Sequence, residues 1–189
     1  MLLSLVPRLS IAEEKQYAVP LRWMLNVQGD HPQALPSIDT TGGLRMLRID
    51  ALVDGRGKGA QIGENTDRRP PVRIVTGSDV SAFIRDALTN QLRLAGVPLV
   101  DTDADRVLKT ELLQFWAVGN RSYRADVRLR CTVTDAAGTE LWSGVVGGTG
   151  ENWGRALNKD NYNETFSNAV FELIVKLLTH EKFIATLRK

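Results

Sequence analysis

Residues 123–146 have the sequence YRADVRLRCTVTDAAGTELWSGVV, and this stretch decides the fold. Between Tyr123 and Val133 apolar and polar side chains alternate strictly, which is typical of a strand with one buried face. The residues from Asp135 to Gly138 have the composition of a hairpin turn, in which glycine supplies a positive φ. The apolar residues that follow predict an antiparallel return strand over 141–146.

The pattern continues in both directions from this hairpin. Residues 106–118 alternate less cleanly and predict a preceding strand, so residues 106–147 are expected to form an antiparallel meander. A polar loop is predicted over 147–162, followed by a second amphipathic helix. Its apolar positions at helical spacing are Phe166, Val170, Leu173, Ile174, Leu177 and Leu178, and one further short turn is indicated by Phe183, Ile184 and Leu187.

Upstream of the meander the sequence predicts two shorter strands and a first helix. Period-2 alternation over 47–53 predicts a strand, and the glycine-rich, charged segment 54–71 is predicted to be a long, exposed and mobile loop. A short return strand is expected at 72–75. Ser78 is predicted to cap an amphipathic helix over 79–95, and Gly96 is predicted to end it.

These elements predict an α+β fold, with a mostly antiparallel sheet and two amphipathic helices packed on one face. With 189 residues and 43% hydrophobic composition, the chain can bury one good core. We therefore predict a single domain over 44–189. The preceding arm, residues 1–43, combines an edge strand within 17–25 and a Pro/Gly-rich loop over 29–43.

Composition excludes several classes of function. The 24 basic and 22 acidic residues give a net charge of +2, so no global field attracts nucleic acid, and no nucleic-acid partner is expected. No apolar run approaches the length of about 20 residues that crosses a bilayer. Cys131 is the only cysteine, so an internal disulfide cannot form. Neither a signal peptide nor a lipidated cysteine is recognised in the chain as written.

Several segments carry a family resemblance. They are the strand at 49–54 with the following Ile62-Gly63-Glu64, the helix at 80–94 leading into Gly96-Val97, the segment 166–170, and the ending at 177–183. Over residues 44–188 the chain resembles the YajG-like family of bacterial outer-membrane lipoproteins. The resemblance implies a small domain facing the periplasm and tethered by a lipidated N-terminal cysteine, an anchor absent from this chain. It implies an envelope protein or lipid as partner, and it brings no defined activity.

No catalytic, cofactor or metal site is predicted. Residues 55–60 fit a loose dinucleotide fingerprint but have no helix opening behind them, and residues 147–150 lack the Lys-Ser/Thr of a phosphate loop. His31 and His180 have no spaced partners that complete a zinc site or a catalytic triad, so surface histidines are expected. Cys131 belongs to the inward row and is expected to be a buried, inert thiol. We therefore expect a protein that is not an enzyme.

The best candidate for a binding surface is an arginine-bearing strand face. Arg124, Arg128 and Arg130 project from it, and Trp116 and Trp142 are candidates to join it, as is Trp153. Such a face can bind an envelope partner or, as the alternative, an anionic ligand of a soluble binding module. A solvated strand face, with its tryptophans buried, accounts for the same residues. Exposed strand edges also suggest a homodimer.

Overall fold

The computed structural model describes residues 15–25, 34–154 and 157–189. Their secondary structure is an eight-stranded mixed, mostly antiparallel sheet with three helices, which confirms the predicted α+β fold. In chain order the elements are β1 Gln16–Ala18, β2 Leu47–Ile49, β3 Val53–Asp54, β4 Gln61–Asn65, β5 Val72–Val75, α1 Val80–Leu94, β6 Arg106–Gly119, β7 Ser122–Asp135, β8 Glu140–Trp153, α2 Lys159–Leu178 and α3 Glu181–Leu187. No helix among these residues is long and apolar enough to cross a bilayer.

The predicted meander is present and forms the larger part of the sheet. β6, β7 and β8 each contain 14 residues and pair antiparallel in sequence order. Gly138 adopts φ 87° in the turn, where its N–H donates to the Asp135 carbonyl over 3.0 Å. The alternation in β7 matches burial, because Tyr123, Val127 and Cys131 are at most 1% exposed. Only one face of this strand therefore enters the core.

Two segments predicted to be loops contain strands. Gln61–Asn65 forms β4, which pairs antiparallel with β5 and parallel with β6, so the loop predicted over 54–71 is wrong at these residues. Ile62 is fully buried, and Gly63 lies so close to the Ala117 backbone that a side chain would clash there. The polar loop predicted from residue 147 is also wrong over its first part, because β8 continues to Trp153.

The N-terminal segment belongs to the packed structure. β1 pairs parallel with β5 and forms one edge of the sheet, so the edge strand predicted within 17–25 is present at its first two residues and wrong over 19–25. Residues 19–25, which we call the strap, then cross α2, where Asn163 Oδ1 accepts from the Arg22 N–H over 3.0 Å and Ser167 Oγ accepts from the Met24 N–H over 2.9 Å. The rest of the predicted arm lies partly outside the described residues.

The cap of α1 differs from the prediction by one residue. Asp79 is the N-cap, and its side chain accepts a hydrogen bond from the Ala82 N–H over 2.9 Å. The Ser78 hydroxyl instead accepts from the Leu21 N–H over 3.0 Å, so this side chain holds the strap. Gly96 follows α1 with φ 91°, the left-handed conformation predicted for it.

α2 packs on β8 through backbone contact. At Gly148 an added Cβ would collide with the Ala169 carbonyl oxygen, and at Gly150 with the Thr165 carbonyl oxygen. Thr165 and Ala169 are one helical turn apart, and Gly148 and Gly150 are successive inward-facing positions of β8. One turn of the helix therefore spans about the same distance as two residues of the strand, so both glycines meet a helix carbonyl. Such an approach is open only to residues that lack a side chain.

Replacing Gly148 with alanine is expected to lower the free energy of unfolding by about 3 kcal/mol, because a helix backbone cannot rotate away from the added methyl group. The matched control is Gly147→Ala, whose Cβ meets the flexible Arg128 side chain at 3.3 Å on the other face. We expect that control to change stability by less than about 0.5 kcal/mol. Urea denaturation of both variants measures the difference, and equal midpoints would contradict this account of the contact.

Candidate functional site

The outward-facing side chains of β6, β7 and β8 form one surface, which we call the outer face. Strand register arranges them in rows across the sheet, including Gln114–Arg128–Gly147 and Trp116–Asp126–Thr149. The helices lie on the opposite side, where Phe83 of α1 and Phe166 of α2 contact Phe115, and Phe183 of α3 contacts Trp142. The predicted arginine face therefore exists as the side of the meander opposite the helices.

Two of the three predicted arginines have carboxylate neighbours. Arg124 Nη1 lies 3.5 Å from Glu151, and its Nε lies 3.9 Å from Asp126. Arg130 donates to Glu111 on the neighbouring strand. The pairs with Glu151 and Glu111 cross between strands, whereas Asp126 lies on β7 with Arg124. On a solvated surface each pair contributes little to stability but neutralises a positive charge.

Arg128 differs from the other two arginines. It is exposed, and no carboxylate among the described residues lies within ion-pair distance of it. Its neighbours in the row are the neutral Gln114 and Gly147, and its own side chain packs over Gly147, where an added Cβ would lie 3.3 Å from Arg128 Cγ. Arg128 is therefore the predicted arginine best placed to contact another molecule.

Sequence reasoning missed some members of this surface. Lys58, from the glycine-rich loop, places its Nζ 5.5 Å from the centre of the Trp116 ring, a cation–π distance. Val145 is 59% exposed beside Arg130. Trp153, a candidate from the sequence, is 84% exposed. Lys58 could not be found from periodicity, since a loop brings it to the strand, whereas Val145 follows from the alternation of β8.

Trp142 does not belong to the outer face, and its inclusion in the binding surface is corrected. It is 8% exposed and lies on the helix side of β8, with its ring 5.0 Å from the His180 ring and 5.6 Å from the Phe183 ring. The physical reason is strand register: Trp142 lies directly opposite the inward-facing Val133, and directly paired residues point to the same side of the sheet. Its role is to fill the space beneath α3.

Of the groups considered for catalysis, Cys131 is buried in the core and His180 caps a helix. Burial raises the pKa of the Cys131 thiol to about 12, which keeps it protonated at neutral pH. His180 is the N-cap of α3 and accepts from the Phe183 N–H through Nδ1 over 3.4 Å, whereas His31 lies outside the described residues. Within the described ranges no group of three or more His, Cys, Asp and Glu side chains is arranged to hold a metal ion.

The glycine-rich loop that resembles a nucleotide fingerprint contains a structural arginine. The Arg56 side chain is 3% exposed and forms two hydrogen bonds to the Asp54 carboxylate, of 2.8 and 2.6 Å. The hydrogen bond from Arg56 lowers the pKa of Asp54. The guanidinium also lies 5.8 Å from the centre of the Phe115 ring, so it covers the core where β3 ends and before β4 begins.

One edge of the sheet is partly closed by α2. Glu172 accepts hydrogen bonds from the Thr149 N–H over 2.6 Å and from its hydroxyl over 2.9 Å, and it pairs with Lys176 over 2.7 Å. Burial by itself raises the pKa of Glu172, but these hydrogen bonds leave it below its usual range. The predicted homodimer through strand edges stays a prediction, and this carboxylate occupies one position of the β8 edge.

Several solved structures are similar to this chain. Protein XCC0632 from Xanthomonas campestris, assigned to DUF330, matches 90% of this chain and 96% of its own length, with 12% identity and a TM-score of 0.56. PelC from Paraburkholderia phytofirmans, a dodecamer, matches 76% and 91% at 16% identity with a TM-score of 0.47. A minor lipoprotein from Acinetobacter baumannii matches 77% and 97% at 10% identity with a TM-score of 0.42.

The match to XCC0632, with a TM-score above 0.5, shows that the two proteins share a fold. No protein-family model and no curated protein sequence matches the chain. The resemblance to YajG-like lipoproteins therefore rests on the sequence segments that carry it.

The position of Cys131 predicts its reactivity. We expect iodoacetamide to alkylate the native protein at pH 8 more than about a hundredfold more slowly than the urea-unfolded protein, since the thiolate is the nucleophile. The thiol is fully buried and its pKa of about 12 leaves little thiolate at that pH. Mass spectrometry of timed samples measures both rates, and native labelling at the unfolded rate would show that β7 does not bury this side chain.

Proposed function

We propose that the protein is a non-enzymatic binding or assembly accessory of the bacterial cell envelope that faces the periplasm at the outer membrane. In this proposal an N-terminal lipid anchor supplies the attachment to the membrane. The outer face binds a partner protein of the envelope. The resemblance to YajG-like lipoproteins supports the location, and the surface chemistry of the sheet supports the mode of action.

The observation that carries the proposal is an outer face that lies opposite the helices and holds large exposed side chains. Trp153 and Val145 are 84% and 59% exposed, and the Trp116 ring lies beneath Lys58. Tryptophan and arginine are enriched at the energetic centres of protein interfaces, and aliphatic side chains fill the spaces between them. Arg128 lies between Val145 and Trp116 in the order of rows, so these side chains form one continuous surface.

The charges of this surface favour a protein over an anionic lipid bilayer. Binding to anionic lipid depends on several unneutralised cations, each worth about 1 kcal/mol near the membrane. Here Arg124 and Arg130 are paired with Glu151 and Glu111. A surface of mixed charge with exposed rings complements another protein better than it complements a negative plane.

The alternative function, a soluble module for an anionic ligand, has one observation in its favour. Arg128 is exposed and lacks a carboxylate partner among the described residues. Lys58, over the neighbouring Trp116, is a second cation within the same region. A guanidinium and an ammonium on the same face suit a phosphate or carboxylate group.

The proposal that the protein is not an enzyme is supported by the surroundings of its nucleophile and its described histidine. Cys131 is buried and protonated, and a ring nitrogen of His180 is engaged in capping α3. General acid–base or nucleophilic chemistry needs such groups in contact with a substrate.

The outer face can be tested with a matched pair of double variants. Arg128→Ala with Val145→Ser removes a central cation and a central aliphatic side chain. Arg93→Ala with Leu94→Ser makes the same two changes at exposed positions of α1. We expect the first variant to bind its envelope partner at least about tenfold more weakly, since central interface residues contribute about 1–2 kcal/mol each. The control is expected to bind as the wild type does.

The measurement is capture by the immobilised chain from detergent-solubilised bacterial envelope, followed by titration of the captured protein. Equal binding by both double variants would exclude the outer face. A parallel titration with inorganic phosphate and polyphosphate tests the alternative. Saturable binding that requires Arg128, together with no protein capture, would favour the anionic-ligand function.

A further inference from the structure

The helix side of the protein contains a cavity between the strap and α1. Its volume is about 450 Å³, within the range of roughly 300–1,000 Å³ that small-molecule sites occupy. Leu21 and Trp23 contribute one wall, and Phe83 and Gln91 of α1 contribute the other. The cavity is on the opposite side of the sheet from the outer face, so the proposed envelope function does not use it.

The strap wall is held in place by hydrogen bonds from its backbone. The N–H groups of Leu21, Arg22 and Met24 donate to Ser78, Asn163 and Ser167 over distances of 3.0, 3.0 and 2.9 Å. The Asn163 amide also donates to the Pro20 carbonyl over 3.2 Å. These contacts fix the strap to both α1 and α2, so the cavity is formed before any ligand arrives, which lowers the entropic cost of binding.

Aromatic rings form the apolar part of the cavity. The Trp23 and Phe83 rings have centroids 6.0 Å apart at an angle of 52°. Phe83 is supported from behind by Phe115, whose ring lies edge-on at 6.1 Å. Trp23 is 36% exposed, so one face of this aromatic pair is open to a ligand.

The polar part of the cavity is acidic. Asp79 uses Oδ1 to cap α1, which leaves its charge beside the aromatic rings. Asp86 also lines the cavity, and its Oδ1 lies 3.5 Å from Arg85 Nη2. Both side chains are exposed, so this ion pair neutralises the carboxylate only weakly. No basic side chain is among the residues that line the cavity.

Gln91 adds a polar group to the cavity wall. It is only 8% exposed and lines the cavity, and its side-chain amide forms no hydrogen bond to any residue in the described ranges. The amide atoms are not among the fully buried atoms that lack a partner, so they are reached from the cavity. They are therefore free to form a hydrogen bond to a ligand there.

From this arrangement we propose that the cavity binds a small organic cation consisting of an ammonium group on an apolar or aromatic body. The body packs against Trp23 and Phe83, and the ammonium is attracted by the ring faces and by Asp79. The Gln91 side-chain carbonyl accepts one of the ammonium hydrogen bonds. A neutral compound of the same shape gains the apolar contacts alone and binds more weakly.

The test uses phenethylammonium and its neutral analogue 2-phenylethanol with the full chain. The reporter is the Trp23 indole N–H resonance in NMR spectra, assigned by its loss in Trp23→Phe. We expect phenethylammonium to shift this resonance saturably with a Kd of about 1 mM, given the small number of atoms in the probe. We expect 2-phenylethanol to bind at least about threefold more weakly. No saturable shift, or equal affinities, would overturn the proposal.

A charge-neutral variant separates electrostatic attraction from loss of structure. Asp79→Asn keeps the α1 cap, because asparagine caps helices as well as aspartate does. It is expected to weaken phenethylammonium binding at least about threefold and to leave 2-phenylethanol unchanged. Asp160→Asn, in the first turn of α2 and outside the cavity, is the matched control and should bind as the wild type does. If Asp79→Asn binds phenethylammonium with wild-type affinity, the assigned site is wrong.

Discussion

The close contact between α2 and β8 is the constraint on which the rest of the structure depends. Gly148 and Gly150 allow the helix backbone to rest directly on the strand, so the helix has one permitted depth and one permitted register. Other contacts follow from that placement. Phe166 stacks on Phe115 with ring centroids 4.1 Å apart, Asn163 and Ser167 hold the strap, and Glu172 reaches the Thr149 N–H at the sheet edge.

The same placement divides the molecule into two chemically different sides. All three helices contact inward-facing aromatic rings of the sheet, which leaves the other side of the meander as a surface of arginines, carboxylates and exposed rings. On the helix side, the strap spans α1 and α2 and borders a half-open acidic cavity with aromatic walls. A large, mixed-charge surface suits a macromolecule, whereas a cavity suits a small one.

The parts of the fold that could be predicted were those in which burial alternates with the period of the element. Tyr123 to Val133 and the apolar stripe of α1 were recognised for that reason. β4 was missed because Gly63 leaves only Ile62 as a strong apolar signal, and the end of β8 was missed because its glycines have the composition of a loop. Strand register was also out of reach of the sequence. It determines the side of the sheet on which Trp142 lies and places carboxylates beside Arg124 and Arg130.

The pairing pattern also determines which half of the chain loses more conformational entropy when its loops close. β6, β7 and β8 are joined by short turns and α2 follows directly, so the C-terminal half assembles from neighbouring segments of chain. Apart from the antiparallel pair of β4 and β5, the N-terminal strands pair parallel, β1 with β5 and β2, β3 and β4 with β6. Each parallel pairing closes a long loop. Most of the entropic cost of closing loops therefore falls on the N-terminal half, where the hydrogen bonds from the strap to Ser78, Asn163 and Ser167 help to offset it.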